Sequence, residues 1–110
     1  MTAELAAVVV NAADPPALAG FWAGVLGVPV VESGPDWAQL AGSLAFQSDP
    51  APKTGPNRLH LDVKVDDLPA ATTAVLAGGA RPLSDVQSPG DAPWRVFADP
   101  EGNEFCLVTG

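Results

Sequence analysis

Apolar residues along this chain recur in two rhythms. In RLHLDVKV (residues 58–65) they alternate, with Leu59, Leu61, Val63 and Val65 on one side and His60, Asp62 and Lys64 on the other. That is the period of a strand packed on one face only. In DPPALAGFWAGVLG (residues 14–27), Leu18, Phe21, Trp22, Val25 and Leu26 recur in steps of three and four, the stripe of an amphipathic helix. Asp14 can cap that helix, Pro15 and Pro16 suit its first turn, and Gly27 can end it. LAAVVV before the helix suits a buried strand, and VPVVES, WAQLAG and SLAFQS after it read as short strands set off by Gly, Pro, Ser and Asp.

The order then repeats. DDLPAATTAVLAGG (residues 66–79) has Asp66 or Asp67 as cap, a proline in the first turn and glycines at the end. Its stripe of Leu68, Ala71, Thr72, Val75 and Leu76 lies fifty residues after that of the first helix. RPLSDV, WRVFAD and NEFCLV follow as three strands, with DPEG, proline second and glycine fourth, as the turn into the last. The pattern predicts an α+β fold of two βαβββ modules arising by internal duplication, all in one domain of 110 residues. Module one covers about residues 1–50 and module two about 57–110; SDPAPKTGPN (residues 48–57) is the linker between them.

Strand parity also sorts the candidate chemistry. If Leu59, Leu61, Val63 and Val65 pack on the helix, His60 and Asp62 face the other way. In NEFCLV, Phe105 and Leu107 go inward and leave Glu104 and Cys106 opposite; in SLAFQ, Leu44 and Phe46 go inward and leave Gln47. The face away from the helices thus collects Gln47, His60, Asp62, Glu104 and Cys106. Singly, a strand histidine is an ordinary hydrogen-bonded side chain and one cysteine a small hydrophobe. With helices on one side of the sheet, the face they share is either solvent or a cleft.

Charge narrows the partners. Thirteen acidic residues against five basic ones give a net charge of −8, which disfavours nucleic acid and anionic membrane surfaces as partners. A single cysteine allows no intramolecular disulfide. MTAELAAVVV has no cationic residue ahead of its apolar run, which is too short to span a bilayer, so a cytoplasmic location is expected.

Both halves carry a family resemblance. NAADPPALAGFWAGVLGVPVV resembles the first half, and NRLHLDVKVDD, AVLAGGARP and WRVFADPEGNEFCLV the second half, of a glyoxalase-like domain of the vicinal oxygen chelate superfamily. The resemblance spans essentially the whole chain. It implies curved sheets around a cleft, a homodimer, and a small organic ligand as partner. The superfamily includes glyoxalase-type isomerases, extradiol dioxygenases, epimerases, thiol transferases that inactivate drugs, and metal-free drug-sequestering proteins. Fold is therefore implied more narrowly than reaction.

Metal-dependent members place His, Glu or Gln at four positions, on the first and last strand of each module. By that resemblance the second module's first ligand falls on His60, and its partner on Cys106, where a glutamate is usual. The first module's pair falls near Ala7 and Gln47, and Val8 or Val9 would serve no better than Ala7. His60, Cys106 and Gln47 are then the metal candidates, and a His/Cys/amide set suits oxygen-rich coordination poorly. Asp62 or Glu104 adds a carboxylate only if the backbone allows it. The expectation is a degenerate metal site and no cofactor, with a divalent ion as the alternative.

Two further readings concern chemistry and binding. His60 and Cys106 on neighbouring strands could pair as base and thiolate, although no oxyanion donor is visible, and His60 could do acid–base work with Asp62 or Glu104. As residues i and i+2 of a strand, His60 and Asp62 are expected side by side rather than in line as a dyad. Trp37 and Trp94 open equivalent strands, either as stacking surfaces for a planar ligand or as rim and dimer packing. Trp22 is expected in the core, and Arg95 as a solvated charge. The expected function is a cytoplasmic small-molecule-binding protein of glyoxalase-like type. The alternative is a lyase, isomerase or related enzyme acting on a small carbonyl or aromatic substrate, metal-assisted or using His60 and Cys106.

Overall fold

Both helices start and stop where their end residues dictate. In the computed structural model, which describes residues 4–51, 53–88 and 90–110, α1 runs Pro15–Leu26 and α2 runs Leu68–Ala77. Asp14 Oδ1 accepts the Ala17 N–H at 3.2 Å, and Asp67, not Asp66, caps α2 by accepting the Ala70 N–H at 3.0 Å. Gly27 ends α1 in the left-handed conformation at φ 65°, which a residue without Cβ adopts without strain.

Among the described residues, eight strands accompany the helices: β1 (Val8–Ala12), β2 (Val30–Gly34), β3 (Trp37–Leu40), β4 (Leu44–Ser48), β5 (Leu61–Lys64), β6 (Arg81–Pro82), β7 (Trp94–Ala98) and β8 (Glu104–Val108). They make two four-stranded sheets of matching order, β1-β4-β3-β2 and β5-β8-β7-β6. In each, the first strand lies parallel to the last and the other pairs are antiparallel. This is the expected α+β fold of two similar βαβββ modules, in compact units Met1–Pro52 and Lys53–Gly110.

Each unit has its own core. In the first, Leu18, Ala19 and Trp22 of α1 are buried, as are Ala38, Leu40, Leu44 and Phe46 of the sheet, and Phe21 meets the Trp22 ring edge-on at 5.3 Å. In the second, Leu68 and Val75 of α2 are buried together with Phe97, Phe105 and Leu107, and the rings of Phe97 and Phe105 stack at 5.7 Å. Full burial of each such side chain is worth about 2 kcal/mol. The modules differ where α2 offers Ala71 and Thr72 in the places of Phe21 and Trp22. An open groove of about 400 Å³ lies there, lined by Leu68, Pro69, Thr72, Val86, Pro93 and Arg95.

Four local expectations need correction. LAAVVV is not strand throughout: β1 begins at Val8, and Leu5 is 72% exposed. The strand expected from Arg58 begins only at Leu61, and Leu59 is 76% exposed rather than packed. The parallel ladder stops at Leu61–Phe105. The carbonyl of Glu104 accepts the Asn57 side-chain amide, and that of Asn103 accepts the Asp99 N–H. RPLSDV shrinks to the two residues of β6; beyond Pro82 the chain bends, and Val96 N–H turns to the Ser84 hydroxyl at 3.2 Å. Arg95 is not a free surface charge, since its Nε donates to the Ser84 carbonyl at 2.8 Å and its guanidinium stands 5.5 Å from the centre of the Phe97 ring.

Candidate functional site

The parallel pairing of β5 and β8 sets the geometry of the candidate site. It places Asp62 directly opposite Cys106, and β7 adds Val96 on the far side of Cys106. Side chains level with each other on adjacent strands point the same way, so the carboxylate and the thiol share the face away from α2. His60, immediately before β5, turns its ring onto the same carboxylate, with Nε2 3.2 Å from Asp62 Oδ1. One donor atom each from His60, Asp62 and Cys106 fits within a mutual distance of 4.8 Å.

This contact corrects the expectation that His60 and Asp62 merely lie side by side. The ladder ends at Leu61, so His60 is free of strand geometry and can swing over its neighbour. Both side chains remain more than half exposed, at 59% and 58%, while Cys106 is half-buried. Burial pushes the Cys106 thiol above its ordinary pKa, and the charge and hydrogen-bond acceptance of Asp62 push it further. An activated nucleophile needs the opposite shift.

Glu104 shares the face but not the cluster. Its Oε2 lies 2.9 Å from the Lys53 ammonium, and its Oε1 accepts the Asn57 N–H at 3.2 Å. With the Asn57 side chain also bonded to the Glu104 carbonyl, this carboxylate anchors the segment entering β5. The Lys53 contact, opposed by partial burial and aided by the Asn57 N–H, holds its pKa below the usual carboxylate value. Lys53 also donates to the Gly55 carbonyl, which closes the loop on itself.

The first module presents a different set at the corresponding places. Asn11 faces Gln47 as Asp62 faces Cys106, and Trp37 faces Gln47 from the other side. Gln47 Nε2 donates to Asn11 Oδ1 at 2.7 Å, and Asn11 Nδ2 donates to Asp49 Oδ2 at 3.1 Å, so both amides are engaged. Two residues before Asn11, where His60 precedes Asp62, stands Val9. Counted along this ladder or from Ala7, the first module has no side chain to match the histidine. The four-position metal centre therefore lacks a donor on its first strand, and the donor set present does not fit it.

The tryptophans occupy separate settings. Trp37 is half-buried and its indole N–H donates to Glu32 Oε2 at 3.2 Å. Trp94, also half-buried, pairs with Val108 of β8 and forms a two-way backbone bridge with Gln87. Its parity matches that of Cys106, so it belongs to the face of the second-module cluster. Trp22 is 3% exposed, a core residue as expected.

The model of a glyoxalase-like domain matches residues 7–108, nearly the whole chain. The chain belongs to this family. Its fold is that of a glyoxalase/bleomycin resistance protein/dioxygenase family enzyme from Burkholderia phytofirmans PsJN, with a TM-score of 0.84 at 21% identity over 97% of this chain and 98% of that one. A glyoxalase-related enzyme from Fulvimarina pelagi matches with a TM-score of 0.76 at 19% identity over 99% and 89% of the two chains. The fosfomycin resistance protein FosX from Listeria monocytogenes matches with a TM-score of 0.78 at 14% identity over 100% and 95%. No curated protein matches significantly. These identities are low, so the solved structures speak to fold.

Within this family member, sequence reasoning missed three contributors to the face. Asn11 breaks an apolar strand with an amide, a sign that it needed a partner there. Lys53 and Asn57 sat in a segment read as linker, and only the tertiary fold brings them to Glu104. Among the described residues, no helix is long and apolar enough to cross a membrane.

Proposed function

We propose that this chain is a small-molecule-binding protein of the glyoxalase-like family whose two-module metal centre is degenerate, and that it takes up an organic ligand against the helix-free faces of its sheets. Family membership and the likeness in fold to drug-resistance proteins and enzymes support a binding or enzymatic role on small molecules. One observation carries the narrower reading: in the first module the place matching His60 is apolar, and the Gln47 amide is bonded to Asn11 at 2.7 Å. An ion shared by both modules would meet a missing ligand and an engaged one. A thiolate mechanism draws no support from the site, because burial and the Asp62 carboxylate both raise the Cys106 pKa.

What remains on these faces suits recognition. Trp37 and Trp94 offer flat, half-buried rings that can stack on a planar ligand. His60 and Asp62 offer exposed hydrogen-bonding groups beside Trp94's strand system. A panel of planar organic compounds titrated against tryptophan fluorescence tests the reading. Saturable quenching in the wild-type protein, lost in Trp37→Leu or Trp94→Leu, is expected, with the buried Trp22 supplying a constant background. A flat response to the whole panel, with the tryptophan variants indistinguishable from wild type, would overturn it.

A further inference from the structure

We propose that His60, Asp62 and Cys106 form a three-donor site for a thiophilic divalent ion of the zinc class, contained wholly within the second module. This site differs from the two-module centre by taking Asp62 as a ligand and nothing from the first module. It goes beyond the ligand-binding reading and does not depend on it.

The chemistry of the donors comes first. One imidazole, one carboxylate and one thiol are the three ligand types that zinc accepts, and three protein ligands leave a fourth tetrahedral position for water or a ligand atom. The thiol also argues for zinc or cobalt rather than magnesium or calcium, which prefer oxygen.

Geometry agrees. Two nitrogen or oxygen donors about 2.0 Å from a tetrahedral ion stand about 3.3 Å apart, and a sulfur at about 2.3 Å stands about 3.6 Å from either. His60 Nε2 and Asp62 Oδ1 are 3.2 Å apart, already at the first spacing. The three donor atoms lie within 4.8 Å of one another, so a small side-chain rotation brings Sγ to the second. Directly paired strands fix the carboxylate and the thiol at one level, which limits the reorganisation needed. The exposure of His60 and Asp62 gives the ion a way in.

Glu104 is excluded by its own contacts, since Lys53 and Asn57 occupy its two oxygens. The corresponding pair in the first module, Asn11 and Gln47, consists of neutral amides bonded to each other. Binding would form three bonds to the ion and release the thiol proton to solvent, with no change of oxidation state.

Cobalt(II) titration of the full chain, stripped of metal by chelator, tests the site. A thiolate-to-cobalt charge-transfer absorption at one equivalent is expected, and zinc should displace it in competition with a chromophoric chelator. Cys106→Ser should abolish the absorption. His60→Ala and Asp62→Asn should each weaken zinc at least about tenfold, and Gln47→Ala should leave zinc affinity unchanged. Circular dichroism of each variant confirms folding, and the exposure of His60 and Asp62 makes those two substitutions safe for the fold. No absorption in the wild type, or absorption indifferent to both His60→Ala and Asp62→Asn, would overturn the proposal. So would an equal loss in Gln47→Ala, which would place the ion in a two-module centre. Fluorescence titration of the metal-free protein with the organic panel reads ligand binding separately, so the two proposals fail independently.

Discussion

Asp62 of β5 and Cys106 of β8 stand face to face in a parallel ladder, and His60 closes on the same Asp62 carboxylate at 3.2 Å. The carboxylate is thus shared between a ring and a thiol. Its negative charge and its acceptor oxygens both oppose ionisation of Cys106, in addition to the cost of burial.

Thiol reactivity follows from this. In metal-free protein, Cys106 should react with iodoacetamide more slowly at neutral pH than a free thiol does. Asp62→Asn removes the charge and lowers the thiol pKa, so labelling should speed up and its pH profile should move to lower pH. Rates measured from pH 6 to 10 check this. An unchanged profile in Asp62→Asn would mean that burial alone sets the thiol.

Glu104 should make stability depend on acid pH. Its folded-state pKa lies below the ordinary 4.5, so its stabilisation is complete above that value and is lost as pH falls through the lower, folded one. Glu104→Gln should cost about 1 kcal/mol at pH 7. Urea melts should show the gap between variant and wild type narrowing below about pH 4.5. A gap that holds constant to pH 3 would count against the ion pair with Lys53 as its source.

The turn before β8 depends on Asp99. This side chain is 2% exposed, and its Oδ1 accepts the N–H groups of Glu101 and Asn103, each at 2.9 Å, while Asn103 Nδ2 reaches both carboxylate oxygens. Asp99→Ala would leave two partly buried N–H groups without that acceptor and should cost about 2–4 kcal/mol in urea denaturation. Asp99→Asn keeps one carbonyl acceptor and should cost less.

The two helices should respond unequally to truncation at matching places. Trp22→Ala empties a site that is 3% exposed and should cost about 3–5 kcal/mol. Thr72→Ala, at the open groove, should cost under about 1 kcal/mol. Thermal melts of the pair check whether the modules carry unequal cores.

Much of the fold was legible because its signals are local. Asp14 and Gly27 bracket α1 through their own backbone preferences, and the alternation in NEFCLV describes β8 correctly because Phe105 and Leu107 face a buried core. The length of β5 was not legible. Leu59 continues the alternation in sequence, yet it is 76% exposed and outside the ladder, whose end no local pattern reports. RPLSDV misled because a side chain takes over the pairing: Leu83 N–H still reaches the Val96 carbonyl, but the Val96 N–H turns to the Ser84 hydroxyl instead of returning the bond.

The sequence by itself determined the two-module α+β plan, the ends of α1, the burial of Leu18, Trp22, Leu68 and Val75, and the side of the second sheet shared by Asp62, Glu104 and Cys106. Periodicity decides these, because burying an apolar stripe is the dominant gain and leaves the remaining side chains only one way to point. Which of these side chains meet within a module was decided by tertiary structure alone. Strand register set Asp62 against Cys106, the early end of β5 released His60 onto Asp62, and a loop 47 residues away in sequence claimed Glu104 through Asn57. Parity gives a side chain its direction, but its partners depend on register and on contacts remote in sequence.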